Sequence, residues 1–185
     1  MFIQTEATPN PATLKFLPGR AVVKGNPREY RNAGQAAKES PLAASLFEID
    51  GVAGVFLGSD FVSVTKAGGD WQHLKPAILG TIMEHFMSGE PVLLSANGAA
   101  AADEDFDAGD EEIVAQIKEL IETRVRPAVA NDGGDIVFHG YRAGTVYLQM
   151  RGACSGCPSA TATLRNGIEN LLKHFIPEVE TVQAV

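Results

Sequence analysis

The chain has 185 residues and a formal net charge of −8, with 45% hydrophobic and 21% charged residues. This composition is ordinary for a soluble globular protein and allows one large domain or two small ones. The chain is acidic and lacks a Lys/Arg cluster, so we expect no nucleic-acid partner, because a phosphate backbone requires a basic surface. No apolar run approaches the roughly 20 residues of a membrane span, so we expect no membrane partner either.

The first eight residues bear on where the protein works. They lack the basic region and apolar run of a secretory signal, and the Arg- and Ser-rich character of an organelle transit peptide. We therefore expect a cytoplasmic protein of the bacterial type, although a mature organellar protein would look the same.

Short strands and one short helix are predicted at the start of the chain. Extended segments at residues 2–4 and 14–16 flank the turn cluster Thr8-Pro9-Asn10-Pro11. Ser40 followed by Pro41 is typical of a helix N-cap and first helical position, and we expect this helix to end near Phe47.

A hairpin and a longer helix follow. The β-rich runs Val52–Leu57 and Phe61–Thr65 are separated by Gly58-Ser59-Asp60, which indicates a hairpin. Asp70 is suited to cap the next helix, which should end near Ser88-Gly89. Apolar residues at helical spacing give this helix one buried face: Trp71, Leu74, Ile78, Ile82 and Phe86.

The charge changes after residue 88. Residues 1–88 hold eight basic and eight acidic side chains, whereas residues 89–108 carry a net charge of −5. Residues 95–108 combine a run of alanines with four acids and show no periodicity, and like charges keep such a segment solvated. We predict an acidic flexible linker over residues 89–108, part of which could instead be the frayed start of the next helix.

Residues 109–185 predict a second small domain. An amphipathic helix begins at Asp110 and is expected to stop around Pro127, and Asp132–Asp135 reads as a turn. The runs Ile136–Tyr141 and Thr145–Met150 indicate a hairpin. A second amphipathic helix and a strand over residues 178–185 complete the domain; the apolar stripe of that helix is Leu164, Ile168, Leu171, Leu172 and Phe175.

The only two cysteines, Cys154 and Cys157, lie between this hairpin and the second helix, in Gly152-Ala153-Cys154-Ser155-Gly156-Cys157-Pro158. Pro158 suits a first helical position, which puts Cys157 near an N-cap where the helix dipole favours a thiolate. The small residues around the cysteines would let an iron–sulfur cluster approach the backbone N–H groups. We therefore expect a shallow, solvent-reachable site with Cys154 and Cys157 as metal ligands.

Ligand number then points to a second chain. Iron–sulfur clusters and structural zinc usually take four protein ligands, and one chain supplies two cysteines with no histidine in the loop. Two copies related by a two-fold axis would supply four thiolates. A group held across such an interface would be exposed and easily released, which suits a carrier.

These motifs resemble those of a known family. Val125-Arg126-Pro127, Asp132-Gly133-Gly134-Asp135-Ile136 and Gly152 through Ser159 look like the signature of Nfu proteins, whose shared module is the NifU C-terminal domain. Residues 1–88 resemble the N-terminal domain that accompanies it. The resemblance implies an α+β protein of two small domains, the second a helix–hairpin–helix–strand NifU C-terminal-like domain.

The resemblance also implies a function. It points to a 4Fe–4S cluster shared between two protomers, which form a homodimer on cluster binding. The partners it implies are upstream cluster-assembly proteins and the apo iron–sulfur client proteins that receive the cluster. Recognition of clients would belong to residues 1–88.

Three other interpretations of the cysteine pair stay open. A dithiol/disulfide oxidoreductase would place its cysteines after a first βαβ unit, unlike this chain. A structural zinc could bridge a dimer through the same four thiolates, and the cysteines could simply be inert. We find no nucleophile–base arrangement, assign no role to the four histidines, and attribute Asp132 and Asp135 to turn formation. No enzymatic activity is therefore expected, and no catalytic residue is assigned.

Overall fold

The structure is a computed structural model that describes residues 1–94, 104–155 and 157–185. The chain divides into two compact units, Met1–Ala99 and Ala100–Val185. Each unit packs helices against one sheet around its own hydrophobic core. This confirms the predicted α+β architecture of two small domains.

The first unit contains a five-stranded antiparallel sheet in the order β1-β2-β5-β4-β3. Its strands are β1 (Gln4–Ala7), β2 (Thr13–Leu17), β3 (Arg28–Tyr30), β4 (Val52–Leu57) and β5 (Val62–Lys66). The register pairs Val55 with Val64, and both side chains are buried in the core of this unit.

In the described part of this unit, three helices accompany the sheet: α1 (Ala33–Glu39), α2 (Pro41–Phe47) and α3 (Trp71–Ser88). The predicted caps are confirmed, since the side chains of Ser40 and Asp70 accept hydrogen bonds from the backbone of α2 and α3. Gly89 ends α3 in the left-handed conformation that glycine tolerates. Apolar residues of all three helices are buried against the sheet.

The second unit has a four-stranded mixed sheet in the order β6-β7-β8-β9, in which only the central β7–β8 pair is antiparallel. Its strands are β6 (Asp105–Phe106), β7 (Gly134–Arg142), β8 (Thr145–Gly152) and β9 (Thr181–Ala184). The helices are α4 (Glu111–Leu120), α5 (Arg126–Asn131) and α6 (Pro158–Phe175). Strand β9 is shorter than the predicted residues 178–185.

Three expectations for this unit were wrong. The helical segment continues past Pro127, because a π-helical turn at Ile121–Val125 shifts the hydrogen-bond register before the proline. Asp135 lies in β7 and not in a turn. Phe175 is 46% exposed, with Arg124 stacked 5.1 Å from its ring centroid, so it is not part of the buried stripe.

Both ends of the predicted linker make contacts within a unit. The Leu94 N–H donates to the Glu39 carbonyl at 2.8 Å, and Ser40 Oγ donates to the Val92 carbonyl at 2.6 Å. Strand β6 pairs with β7, and Lys118 forms an ion pair with Glu104. The rest of the predicted linker, residues 95–103, lies outside the described residues.

Candidate functional site

The two cysteines lie where β8 ends and α6 begins. Cys157 is the N-cap residue of α6, with extended backbone (φ −112°, ψ 102°), and Pro158 occupies the first turn, as predicted. The N–H of Thr161 donates to the Cys157 carbonyl at 2.9 Å, which closes the first helical turn. Cys157 is half-buried and lies at the positive end of the helix dipole.

Cys154 is in a different environment. It is only 6% exposed and belongs to the hydrophobic core of its unit. The expected shallow, solvent-reachable site is therefore wrong for this cysteine. Cys154 packs closely against β7: a Cβ built on Gly134 would lie 2.7 Å from Cys154 Sγ.

Burial also changes the acid–base chemistry of Cys154. Removal of the thiolate from water raises the pKa of Cys154 to about 12, and the nearby carboxylates of Asp132 and Asp135 add to this effect. Cys154 is thus a neutral thiol at physiological pH. A metal ion that binds there has to displace this proton, so binding should release acid.

Hydrogen bonds within the loop and to neighbouring segments hold the backbone around the cysteines. The Ala153 N–H donates to the Gly133 carbonyl at 3.2 Å, and Gly133 adopts φ +78°, which confirms its predicted role in a turn. Ser155 Oγ donates to the Gly152 carbonyl at 2.9 Å. Thr161 Oγ1 donates to the Cys154 carbonyl at 2.9 Å and joins the loop to α6.

Asp135, whose charge acts on Cys154, forms a bidentate ion pair with Arg126. Arg126 Nε and Nη2 donate to the two carboxylate oxygens of Asp135 at 2.9 and 3.0 Å, and Arg126 also pairs with Glu122. Burial opposes the charged form of Arg126, but the two carboxylates outweigh it and raise the pKa of Arg126. This pair joins α5 to β7, so Asp135 is a structural carboxylate.

The structure places Cys154 and Cys157 on one loop, as the spacing requires, but the residues it describes bring no further ligand to them. Among the described residues, no group of three or more His, Cys, Asp or Glu side chains could hold a metal ion. His139 lies in β7, and His174 lies near the end of α6.

Sequence reasoning missed two features of this site: the burial of Cys154 against Gly134, and the Arg126–Asp135 pair. The only local signal for either was the Asp-Gly-Gly-Asp sequence, which was attributed to a turn alone.

The fold and the loop define a class of protein: a small α+β module with two cysteines on the loop between a strand and a helix. Matches to family models then identify it. Residues 3–89 match the model of the scaffold protein Nfu/NifU N-terminal domain, and residues 117–183 match the NifU-like domain. The chain therefore belongs to the Nfu family.

Two relatives, from Drosophila erecta and Arabidopsis thaliana, support this assignment. The chain is 52% identical over its whole length to "NFU1 iron-sulfur cluster scaffold homolog, mitochondrial" of Drosophila erecta, and spans 65% of that protein. It is 49% identical over 99% of its length to "NifU-like protein 5, mitochondrial" of Arabidopsis thaliana, and spans 67% of that protein. A solution NMR structure of a NifU-like protein from Saccharomyces cerevisiae covers 51% of this chain and 86% of that one, with 26% identity and a TM-score of 0.46.

The Drosophila and Arabidopsis relatives are both described as mitochondrial. This does not support the predicted cytoplasmic location but agrees with the organellar alternative. In the described residues, no helix is long and apolar enough to cross a membrane.

Proposed function

We propose that this protein binds a 4Fe–4S cluster between two protomers through Cys154 and Cys157, and delivers it to apo iron–sulfur proteins. One observation carries the proposal: each chain presents two thiols on one loop, and its described residues offer no third ligand nearby. The names of the relatives, which include "iron-sulfur cluster scaffold", agree with it. Upstream assembly proteins would supply the cluster, and no catalysis by the protein is involved.

The two cysteines would contribute differently to the cluster. Cys157, at the helix N-terminus, is accessible and is suited to form the first bond to iron. Cys154 binds only once iron has replaced its proton, because its thiolate is disfavoured by burial and by Asp132 and Asp135. A cluster held partly by such a ligand is easy to lose to a competing thiolate, which suits a carrier.

We further infer that the work is divided along the chain. Residues 1–88 would recognise clients, residues 89–108 would connect the domains, and residues 109–185 would hold the cluster. The cysteines belong to the second unit, whereas the first has its own core and contains no cysteine.

Anaerobic reconstitution with iron and sulfide tests cluster binding. We expect a brown protein with broad absorption near 400 nm, and native mass spectrometry should detect a dimer carrying about four irons per two chains. Cys154→Ala and Cys157→Ala should each abolish stable loading, because each removes two ligands per dimer. The control Thr163→Ala, an exposed position on α6, should load normally.

The results separate the alternatives. A zinc-bridged dimer would contain zinc without sulfide, and a dithiol oxidoreductase would reduce insulin without any metal. Full iron and sulfide content in either cysteine variant, or a cluster-loaded monomer, would contradict the proposed ligation.

A further inference from the structure

A groove of about 570 Å³ lies beside Cys157, between the first half of α6 and β9. The helix side of the groove is lined by Cys157, by Thr161 one turn further along α6, and by Arg165 two turns further along. The outer edge of β9 forms the opposite wall. The groove is therefore continuous with the proposed cluster ligand.

The edge of β9 is closed at one point and open at the next. The N–H groups of Thr181 and Val185 face β8, because they donate to the carbonyls of Gly144 and Leu148. Alternation along a strand then turns Val182 and Ala184 outwards. The Val182 N–H is occupied by the Glu169 carboxylate at 3.0 Å, but nothing in the described part of the chain occupies that of Ala184.

Distances along the two elements place this open amide near Arg165. A helix rises about 1.5 Å per residue and a strand about 3.3 Å, so four residues back along α6 from Glu169 and two residues along β9 from Val182 both cover about 6–7 Å. Arg165 is exposed, and within the described residues it has neither an ion-pair nor a hydrogen-bond partner. The outward N–H of Ala184 and the unpaired guanidinium of Arg165 thus lie at the same position along the groove.

We propose that this groove binds an extended, acidic segment of the protein that receives the cluster. The segment pairs with β9 at Ala184 and places a carboxylate on Arg165, the residue that binds carboxylates best through two parallel hydrogen bonds. Cys157 is eight residues along α6 from Arg165, or about 12 Å, which an extended peptide spans in about four residues. The acceptor cysteine therefore lies about four residues from the acidic residue.

This inference rests on the proposed cluster-carrier function and describes how the cluster leaves. The thiol of the docked cysteine lies beside Cys157. The bond between iron and Cys157 Sγ breaks as a bond from that iron to the acceptor sulfur forms. The proton of the acceptor thiol passes to Cys157, and no electron is transferred.

Peptide binding to the apo protein tests the groove without any cluster. The probes are the capped peptides Asp-Val-Thr-Val-Cys and Cys-Val-Thr-Val-Asp, with Asn in place of Asp as controls, titrated into ¹⁵N-labelled full-length chain. One of the acidic pair should shift the amide signals of Arg165 and Ala184, and Arg165→Gln should weaken its binding at least about fivefold. The control Thr163→Glu also makes α6 more negative by one charge, as Arg165→Gln does, but outside the groove. It should bind the acidic peptide as tightly as the wild type does.

Transfer to apo-ferredoxin tests the role of the groove in delivery. Arg165→Gln and Ala184→Pro should load as much iron and sulfide as the wild type and form the same dimer, but transfer the cluster several-fold more slowly. Ala184→Pro removes only an outward N–H, which an edge strand tolerates.

If neither peptide binds at the groove, the proposal is overturned. It is also overturned if the variants no longer form the dimer while the rate of transfer per bound cluster stays unchanged. The groove is then an interface between protomers. Failure of the wild type to load a cluster would instead refute the carrier function.

Discussion

At the scale of single residues, the cysteine loop depends on a glycine that lies in another strand. Gly134 of β7 pairs with Gly152 of β8, and a side chain at Gly134 would meet both Cys154 Sγ and the Arg151 carbonyl at 2.7 Å. Backbone cannot move aside as a flexible side chain can. The absence of a Cβ is thus what lets Cys154 pack inwards.

Gly134→Ala should therefore disturb the site without touching either cysteine. We expect a loss of roughly 1–3 kcal/mol in the free energy of unfolding, as for other overpacked cores, together with reduced cluster content. Gly167→Ala is the matched control, because nothing lies within 4 Å of its Cβ position on α6. Urea denaturation and iron analysis of both variants provide the measurement. Equal stability of the two variants would mean that the loop yields easily.

The two cysteines also mark the limit of sequence reasoning at this scale. The N-cap position of Cys157 was predictable because Pro158 and the helix that follows are local signals. The burial of Cys154 was not, since Cys154 lies against Gly134 of another strand and belongs to the core that the whole unit forms. Such contacts depend on how the elements pack, which one short motif does not encode.

At the scale of elements, strong caps and periodic apolar stripes predicted α2, α3 and the β7–β8 hairpin. Helix α1 and strand β3 were missed. The sequence of α1, Ala-Gly-Gln-Ala-Ala-Lys-Glu, has no large apolar residue, and β3 has only three residues. Strand order escaped prediction because it is set by contacts between distant segments, and the π-helical turn before Pro127 was not predicted either.

Glu169 joins two elements of the second unit. Its carboxylate accepts hydrogen bonds from Lys173 Nζ at 2.8 Å, and from Thr181 Oγ1 and the Val182 N–H at 3.0 Å each, so α6 is tied to β9. These bonds stabilise the charged form and lower the pKa of Glu169 to about 2.

The link should fail in acid. Because the folded pKa of Glu169 lies below the unfolded value of about 4.3, its stabilising effect is complete above that value and is lost as the pH falls towards about 2. Wild type should be more stable than Glu169→Gln at pH 7, and the difference should vanish between about pH 4 and pH 2. Denaturant midpoints at several pH values measure this. Lys173→Met, which keeps both bonds from Glu169 to β9, should lose less stability at pH 7 than Glu169→Gln. Identical dependence of stability on pH for the wild type and Glu169→Gln would contradict this role of Glu169.

At the scale of the whole molecule, the two units have separate cores, and both cysteines belong to the second. Contacts at the unit ends suggest where to cut the chain. Leu94 bonds to Glu39 in the first unit, and Phe106 packs on the core of the second, so fragments 1–94 and 104–185 retain these contacts.

Each fragment should fold alone, but only residues 104–185 should assemble a cluster, because residues 1–94 contain no cysteine. The informative measurement is transfer. If the first unit recognises clients, fragment 104–185 should load a cognate apo-enzyme several-fold more slowly than the full chain at equal cluster concentration. The absorption spectra of the two clusters should be the same, since their ligands are. A small thiol chelator, which needs no recognition, should remove the cluster from both at one rate and serves as the control. Equal transfer to several apo-enzymes with and without residues 1–94 would leave the first unit without a targeting role.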